Sequence, residues 1–230
     1  MPGSHFAAVY LSGAAQPETP PPSNWTGAPR AGSPALTTSP TADSTSFTVT
    51  LAPHIAGDTL FVFIASDGVT AVLSCSGWTL VNATANTTAK GHLFRRDMVA
   101  SSSSEPNPVF TSTVSEQYAA ISYSIPGDTL LNIECATAVG SSGTPNAPAL
   151  TPSGGTKDYI WIVFYAFDGS AGMATPPTGY GGPAGGGNGS GSGASALSAF
   201  KSSTASTSDD PDAAATTSEQ FTAFTIAVWQ

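Results

Sequence analysis

The sequence predicts an all-β protein: a single, jelly-roll-like β-sandwich formed from two sequence-related halves and preceded by an extended N-terminal arm. Three observations support this prediction. Apolar segments either alternate with Ser and Thr or run continuously for the length of a strand, and Gly, Pro and Asn separate them. No segment shows a helical period, and the same order of landmarks occurs twice along the chain.

The beginning of the chain differs in composition from the rest. It is rich in Pro, Ser, Thr and Ala, which favours extended backbone over a packed core. The texture then changes, because Phe47, Val49 and Leu51 alternate with Ser and Thr in the period of a strand with one buried face. We therefore predict an arm over residues 1–43 and a sandwich over residues 44–230.

The first half of the sandwich begins with a central strand. After Gly57 an uninterrupted apolar run from Leu60 to Ile64 predicts a strand buried on both faces, and AspGly at 67–68 supplies a turn. Shorter strands are predicted at 77–81, 91–96, 108–112 and 118–125.

The second half repeats this order about 100 residues later, as a duplicated unit would. The matched landmarks are AspThrLeuPheValPheIle (58–64) with AspTyrIleTrpIleValPhe (158–164), AspGly (67–68) with AspGly (168–169), GlyTrp (77–78) with GlyTyr (179–180), HisLeuPheArg (92–95) with SerAlaPheLys (198–201), and SerGluGln (115–117) with SerGluGln (218–220). The pseudo-repeats span about 57–125 and 156–229.

Two halves of this size are expected to share one core. They could form the two sheets of one sandwich, or interleave their strands as a jelly roll. Two tandem small domains are the weaker alternative, since each would have little core of its own. Residues 136–148 and the glycine-dense stretch 179–193 are predicted to be a connector and a loop.

Composition excludes several classes of partner. Six Lys and Arg residues against fifteen Asp and Glu give a net charge of -9, which is unsuited to binding a phosphate backbone. The longest apolar run, Tyr159 to Phe167, has the length of a strand and not of a membrane helix. No Lys or Arg precedes the apolar patch near the N-terminus, so we expect synthesis in the cytoplasm and no secretory signal.

The residue types of common active sites are sparse. His5, His54 and His92 do not lie in a GlyXxxSerXxxGly motif, and most carboxylates fall in turns or at the beginnings of strands. The acidic loop Asp209, Asp210 and Asp212 lacks the spaced pattern of a calcium loop, so a solvated turn is favoured and ion binding stays open. We predict no enzymatic activity and no cofactor.

Two cysteines are too few for a disulfide scaffold. Cys75 and Cys135 are interpreted as small buried thiols, although their spacing leaves a pairing between them open.

The aromatic residues divide into three groups. Tryptophans inside apolar strands are expected in the core. Trp25 stands in the predicted arm together with Phe6 and Tyr10, so these three are predicted to contact a partner. Trp78 and Tyr180 lie near predicted loop tips and are the alternative candidates, as contacts for a glycan.

Several of these motifs resemble a recurrent β-sandwich module of bacteriophage virion proteins and related bacterial surface proteins. The resemblance rests on GlyAspThrLeu (57–60), GlyTrpThrLeuVal (77–81), GluProAsnProValPheThr (105–111) and SerGluGlnTyrAlaAla (115–120), and it extends over about 57–229. It implies a virion component: a head decoration (cement) protein, or a tail or fibre module.

Of these, a capsid decoration protein is expected, because the chain combines a long arm with an acidic, hydroxyl-rich surface and has no coiled-coil heptads. Its partners would be the major capsid protein and copies of itself on the capsid exterior, after synthesis in the host cytoplasm. The alternative is a tail fibre or carbohydrate-binding module that recognises host surface glycans.

Overall fold

The computed structural model is an all-β protein, as predicted, with antiparallel pairing throughout. It describes residues 25–38, 42–97, 105–127, 130–170, 172–173, 175–187 and 193–230. These residues contain no helix. Consequently none of them belongs to a helix long and apolar enough to cross a membrane.

Thirteen strands lie in the described part of the chain. They are β1 (Ala35–Thr38), β2 (Ser44–Thr48), β3 (Thr59–Ser66), β4 (Leu73–Ser74), β5 (Thr79–Ala85), β6 (Lys90–Arg96), β7 (Val109–Glu116), β8 (Tyr118–Ile125), β9 (Asn132–Ser142), β10 (Lys157–Asp168), β11 (Gly181–Gly187), β12 (Ala194–Ser206) and β13 (Glu219–Trp229).

The strands form three sheets. Sheet I has the order β1-β8-β3-β6-β5, sheet II has the order β11-β12-β10-β13-β9, and the smaller sheet III has the order β2-β7-β4. All strands of sheets I and III come from residues before 131, which we call the first segment. All strands of sheet II come from residues 132–230, the second segment. Each described sheet therefore contains strands of one segment only, and the two segments do not interleave.

A central core lies between sheets I and II. The rings of Phe63 on β3 and Phe164 on β10 meet there with centroids 4.9 Å apart. The hydroxyls of Tyr123 and Ser198 join β8 to β12 across the core at 2.7 Å. Since β3 and β10 are each central in their sheets, the layers pack face to face as in a β-sandwich.

Each large sheet also has a second apolar face, which is covered differently in the two segments. Sheet III covers sheet I, and the ring of Phe47 stacks on Tyr118 with centroids 4.6 Å apart. Sheet II is covered by loops that include Leu150 and Met173. Two isolated β-bridges, Leu150 with Asp209 and Thr175 with Ala215, tie those loops together.

The predicted central strands are confirmed. Every residue of β3 is buried, and β10 is buried from Tyr159 to Phe167. Both strands are continuous apolar runs because each has a core on both faces.

Three predictions are wrong: the start of the sandwich, the connector and the loop. The sandwich does not begin at Ser44, because β1 pairs with β8 in sheet I. The predicted connector 136–148 begins as the C-terminal part of β9, which pairs along its whole length with β13. The glycine-dense stretch 179–193 contains β11, which pairs with β12. In all three cases a neighbouring strand offers free hydrogen-bonding groups, and this backbone pairing leaves no pattern in the side chains.

Candidate functional site

The segment between Trp25 and β1 is held against the sandwich by backbone and side-chain hydrogen bonds. The amide of Arg30 donates to the carbonyl of Ser124 at 2.8 Å, and the amide of Ser124 donates to Ser33 Oγ at 3.1 Å. The chain then enters the β1–β8 ladder. Residues 25–38, which we call the docked segment, are thus part of the folded body.

Asp58 is the main anchor of the docked segment. Its carboxylate is buried and accepts hydrogen bonds from Arg30 Nε at 2.5 Å, Ser124 Oγ at 2.7 Å and the Ile55 amide at 3.0 Å. Burial alone would raise the pKa of Asp58, but the bonds from Arg30, Ser124 and Ile55 outweigh it and hold that pKa below its usual value. The carboxylate is therefore ionised and fully partnered.

A groove lies between the start of the docked segment and sheet II. The cavity has a volume of about 290 Å³. One wall is formed by Trp25, Thr26 and Gly27, and the other by Asp158, Ser202, Ser203 and Thr204. The described residues that line it supply an indole ring, a carboxylate and several hydroxyls, and none of them is cationic.

A β-bulge shapes the sheet II wall of this groove. Lys157 pairs with Ser206 and Tyr159 with Ser203, so Asp158 alone stands opposite Thr204 and Ala205. Ala205 has a φ of 49°, the one positive φ among the described non-glycine residues. Its amide donates to Asp158 Oδ1 at 3.0 Å, which holds the bulge in place.

The predicted partner-contact residues have different outcomes. Phe6 and Tyr10 lie outside the described residues. Trp25 is partly buried against the central core, a contact that the sequence did not predict, and its contact with a partner stays a prediction. Sequence reasoning missed this contact because the strands of that core are far from Trp25 along the chain.

The structure does not bring together the alternative glycan contacts, Trp78 and Tyr180. Trp78 packs on the sheet III side, with its ring 5.8 Å from that of Phe110. Tyr180 is only 6% exposed on the opposite outer face, where Lys201 Nζ lies 4.8 Å from its ring centroid and its hydroxyl donates to Asp209. The ring of Tyr180 therefore has no open face for a sugar.

The acidic loop is part of the same local network. Asp209 forms an ion pair with Lys201 and exchanges backbone hydrogen bonds with Leu150. In the part of the chain that the structure describes, no group of three or more His, Cys, Asp or Glu side chains could hold a metal ion.

Two of the histidines lie in the described structure, and they differ in their partners. His54 Nδ1 donates to the carbonyl of Ala52 at 2.8 Å, and Nε2 accepts from the amide of Glu105 at 2.8 Å. His92 is buried, and its Nδ1 has no hydrogen-bond partner among the described residues. Desolvation and the nearby charge of Lys90 lower the pKa of His92 to about 4. His5 lies outside the described residues.

Glu116 lies directly over the AspGly turn of the first segment. A methyl group added to Gly68 would come within 1.9 Å of Glu116 Oε1. Desolvation, with further contributions from Asp67 and Asp43, raises the pKa of Glu116 to about 7.

The two cysteines are free thiols and do not form a disulfide. Cys75 packs on the sheet III side of sheet I, whereas Cys135 packs against the central core and accepts a hydrogen bond from Asn82 Nδ2 at 3.2 Å. Both are partly exposed, which differs from the predicted buried state.

No protein-family model, no curated protein sequence and no solved structure matches this chain. Its docked segment and the groove beside it are therefore the features from which a function is proposed.

Proposed function

We propose that this chain is a non-enzymatic virion structural protein, a decoration or cement protein on the exterior of a bacteriophage capsid. In this proposal residues 1–24 bind neighbouring subunits and the β-sandwich is the rigid body to which they are attached. The attachment of the docked segment is the observation that supports it most.

The docked segment connects the N-terminal residues to the sandwich at three levels. Trp25 packs against the central core, Arg30 pairs with Asp58, and β1 adds a strand to sheet I. Tension applied to the preceding residues would reach the centre of the molecule through side chains and backbone together. A protein that clamps a shell needs such a connection between its arm and its body.

Many polar groups that could carry chemistry have a structural partner instead. Asp58 fixes the docked segment, Asp209 holds Lys201 and Tyr180, and His54 joins Ala52 to Glu105. These contacts support a binding or structural role.

We further propose that the first segment is a jelly roll. In that arrangement the first of eight strands lies beside the last, the second beside the seventh and the third beside the sixth. The pairs β1–β8, β2–β7 and β3–β6 support this assignment. Jelly rolls are common in viral capsid proteins, which favours the virion proposal by analogy of fold alone.

The second segment is proposed to be a duplicate of the first. When the five strands of each sheet are ranked in chain order, sheet I (β1-β8-β3-β6-β5) and sheet II (β9-β13-β10-β12-β11) have the same spatial order of ranks. The loops over sheet II support the same correspondence. Their bridges, Leu150 with Asp209 and Thr175 with Ala215, stand in the chain order of the pairs β2–β7 and β4–β7.

Side-chain positions also support the duplication. Glu219 lies over Gly169 as Glu116 lies over Gly68, with a distance of 3.1 Å from a methyl group added to Gly169. The contacts between the sheets are reciprocal as well, since β1 contacts β11 and β5 contacts β9. This is the pattern of an isologous interface, such as two identical subunits form around a two-fold axis.

Two of the sequence landmarks, 58–64 with 158–164 and 92–95 with 198–201, are each displaced by one residue. Phe63, matched in the sequence by Val163, is matched in the central core by Phe164. Phe94 lies opposite Val62 and packs towards sheet III, whereas Phe200 lies opposite Ile162 and packs towards the central core. The match of HisLeuPheArg with SerAlaPheLys therefore aligns side chains of opposite faces. In the proposed correspondence Phe94 is matched by Ala199, which lies opposite Val163.

Two truncations test the proposal on capsids assembled without this protein. A chain starting at Trp25 keeps the docked segment, whereas a chain starting at Ser44 loses the Arg30–Asp58 pair and β1. Binding is read by co-sedimentation, and the melting temperature of each free protein shows whether the body remains intact.

The full-length protein is expected to bind and to raise the temperature at which the shells open. The chain starting at Trp25 is expected to melt like the full-length protein yet fail to bind, and the chain starting at Ser44 is expected to melt lower. Absence of binding by the full-length protein would contradict the capsid proposal. Equal binding by the chain starting at Trp25 would contradict the role of residues 1–24.

A further inference from the structure

The groove beside Trp25 has the size of a site for one sugar ring. Its volume of about 290 Å³ is at the lower end of the range for ligand pockets. It equals the space of roughly ten water molecules, which is enough for one sugar ring.

Its chemistry matches a neutral ligand that is rich in hydroxyls. A pyranose presents an apolar face of C–H groups and a rim of hydroxyls that both donate and accept hydrogen bonds. The indole of Trp25 offers an apolar surface, Asp158 offers a carboxylate acceptor, and Ser202, Ser203 and Thr204 offer hydroxyls. With a carboxylate and no cation among the described lining residues, the groove disfavours phosphate and other anions.

The polar wall is already organised by the protein. Ser203 Oγ accepts a hydrogen bond from Trp161 Nε1 at 2.8 Å, which leaves its hydroxyl hydrogen for a second partner. Asp158 Oδ1 accepts from the Ala205 amide, and Oδ2 has no protein hydrogen bond among the described residues. Each group thus presents a defined donor or acceptor to the groove.

The bulge adds an independent observation. A positive φ at a residue with a side chain is strained, and such strain persists at sites where the surrounding structure requires it. Here it falls at Ala205, next to Thr204 and bonded to Asp158, where the bulge changes the direction of the wall residues.

From these observations we infer that the groove between Trp25 and β12 binds a single uncharged sugar, a hexose or an N-acetylhexosamine. This site is separate from the predicted pair Trp78 and Tyr180. It does not depend on the proposed capsid function, because a decoration protein or any other binding protein could carry it.

The four tryptophan indole N–H signals in a ¹H–¹⁵N correlation spectrum of the full-length protein provide the test. Trp25 lines the groove and Trp161 donates to Ser203 in its wall, while Trp78 and Trp229 pack in the two outer cores. Glucose, galactose, mannose and N-acetylglucosamine are titrated separately, with inorganic phosphate as the anionic control. At least one sugar is expected to shift the Trp25 and Trp161 signals and leave Trp78 and Trp229 unchanged.

The expected dissociation constant is on the order of 1 mM, as ligand efficiency allows for a ligand of about 12 non-hydrogen atoms. Asp158→Asn keeps an acceptor for the Ala205 amide and removes the charge, so it is expected to weaken binding by about tenfold. Asp212→Asn, an exposed acid outside the groove, is the charge-matched control and is expected to bind like the unmodified protein.

Three results would overturn the inference. The first is no shift of the Trp25 signal by any of the four sugars up to about 50 mM, well above the expected dissociation constant. The second is equal shifts of all four indole signals, which would indicate non-specific effects. The third is a shift by phosphate as large as by the sugars.

Discussion

The outer faces of the two large sheets are covered by different structures, although they stand at the same places in the chain order. Sheet I is covered by the paired strands of sheet III, and sheet II by loops with two isolated bridges. The covering loops of the second segment contain Pro145, Pro148, Pro152, Pro176, Pro177 and Pro211, and proline cannot donate to a ladder. These prolines limit ladder pairing in the loops over sheet II, while the apolar faces of both large sheets are covered in either case.

The loops over sheet II are held by individual hydrogen bonds to backbone carbonyls, whereas the strands of sheet III are held by a backbone ladder. Thr225 Oγ1 donates to the carbonyl of Pro148 at 2.5 Å, and the amide of Ala214 donates to the carbonyl of Pro145 at 3.0 Å. Sheet III, in contrast, holds Phe47 and Phe110 against sheet I through the regular β2–β7 pairing. Both layers exclude water from a buried aromatic cluster.

The largest change in the free energy of unfolding is expected from a substitution in the core that both segments share. Phe164→Ala removes the ring that meets Phe63, and we expect a loss of about 3 to 5 kcal/mol in the free energy of unfolding. Urea denaturation followed by far-ultraviolet circular dichroism and by tryptophan fluorescence measures it. Phe164→Leu, which keeps most of the volume, should lose less than half as much. A loss below about 1 kcal/mol, or two separated transitions, would show that the sheets do not share this core.

A smaller effect is expected where the docked segment meets sheet I. Asp58→Ala leaves Arg30, Ser124 and the Ile55 amide without their acceptor, at an expected cost of about 2 to 4 kcal/mol at neutral pH. Because the folded-state pKa of Asp58 is lowered, its contribution is present above the unfolded value of 3.8 and is lost as pH falls below it. The free energies of unfolding of Asp58→Ala and of the unmodified protein should therefore differ less at acid pH than at neutral pH. A difference that does not change with pH would contradict the ionised role of Asp58.

The first segment has a buried histidine, His92, at a position where the second segment has an apolar residue, so this position of the first segment alone is expected to lose stability in acid. It lies opposite Ile64 in sheet I, and the proposed equivalent position in sheet II is Leu197, opposite Tyr165. Because burial lowers the folded-state pKa of His92 to about 4 from 6.5, the neutral ring stabilises the fold above pH 6.5, and stability is lost as pH falls towards 4. This loss is expected to be about 2 kcal/mol between about pH 7 and pH 5.

His92→Leu places the residue of the second segment in the first. Melting temperatures at about pH 7 and pH 5 should differ less in the variant than in the original protein, because the titrating group is gone. At neutral pH the variant should be about as stable, since Nδ1 has no partner among the described residues and the Nε2 contact with the Ala71 carbonyl is long, at 3.4 Å. Equal acid sensitivity in both proteins would assign the titration to another group.

The smallest expected effect is at the AspGly turn of the first segment. The folded-state pKa of Glu116 is raised to about 7, so its contribution to stability is full below 4.5 and is lost as pH rises through about 7. Glu116→Gln should stabilise the protein by less than about 1 kcal/mol at pH 8 and change little at pH 4. A variant less stable than the original at pH 8 would show that the charge of Glu116 is favourable there.

The sequence could predict the central strands because burial on both faces leaves a strong signal. The continuous apolar runs of β3 and β10 contain few polar residues, and the AspGly turns mark their ends. The closing strands β8 and β13 were also predictable, since an aromatic residue begins each apolar stretch after SerGluGln. All of these strands are defined by their own side chains.

The edge strands could not be predicted in the same way. The seven residues of β11 include five glycines, and β9 is dominated by small residues, so neither carries a clear apolar pattern. They become strands because β12 and β13 offer unpaired backbone groups. The groove at Trp25 could not be predicted either. Its walls are about 130 to 180 residues apart in sequence and meet only in the folded sandwich.

Native-state hydrogen exchange of the β3 and β10 amides tests most directly whether the two segments form one body. The Phe63–Phe164 core predicts that both strands exchange only through global unfolding, with the same free energy and the same denaturant dependence. In Phe164→Ala both strands should lose protection equally. Exchange of β10 through a separate opening that leaves β3 protected would contradict the shared core and would favour two independent domains.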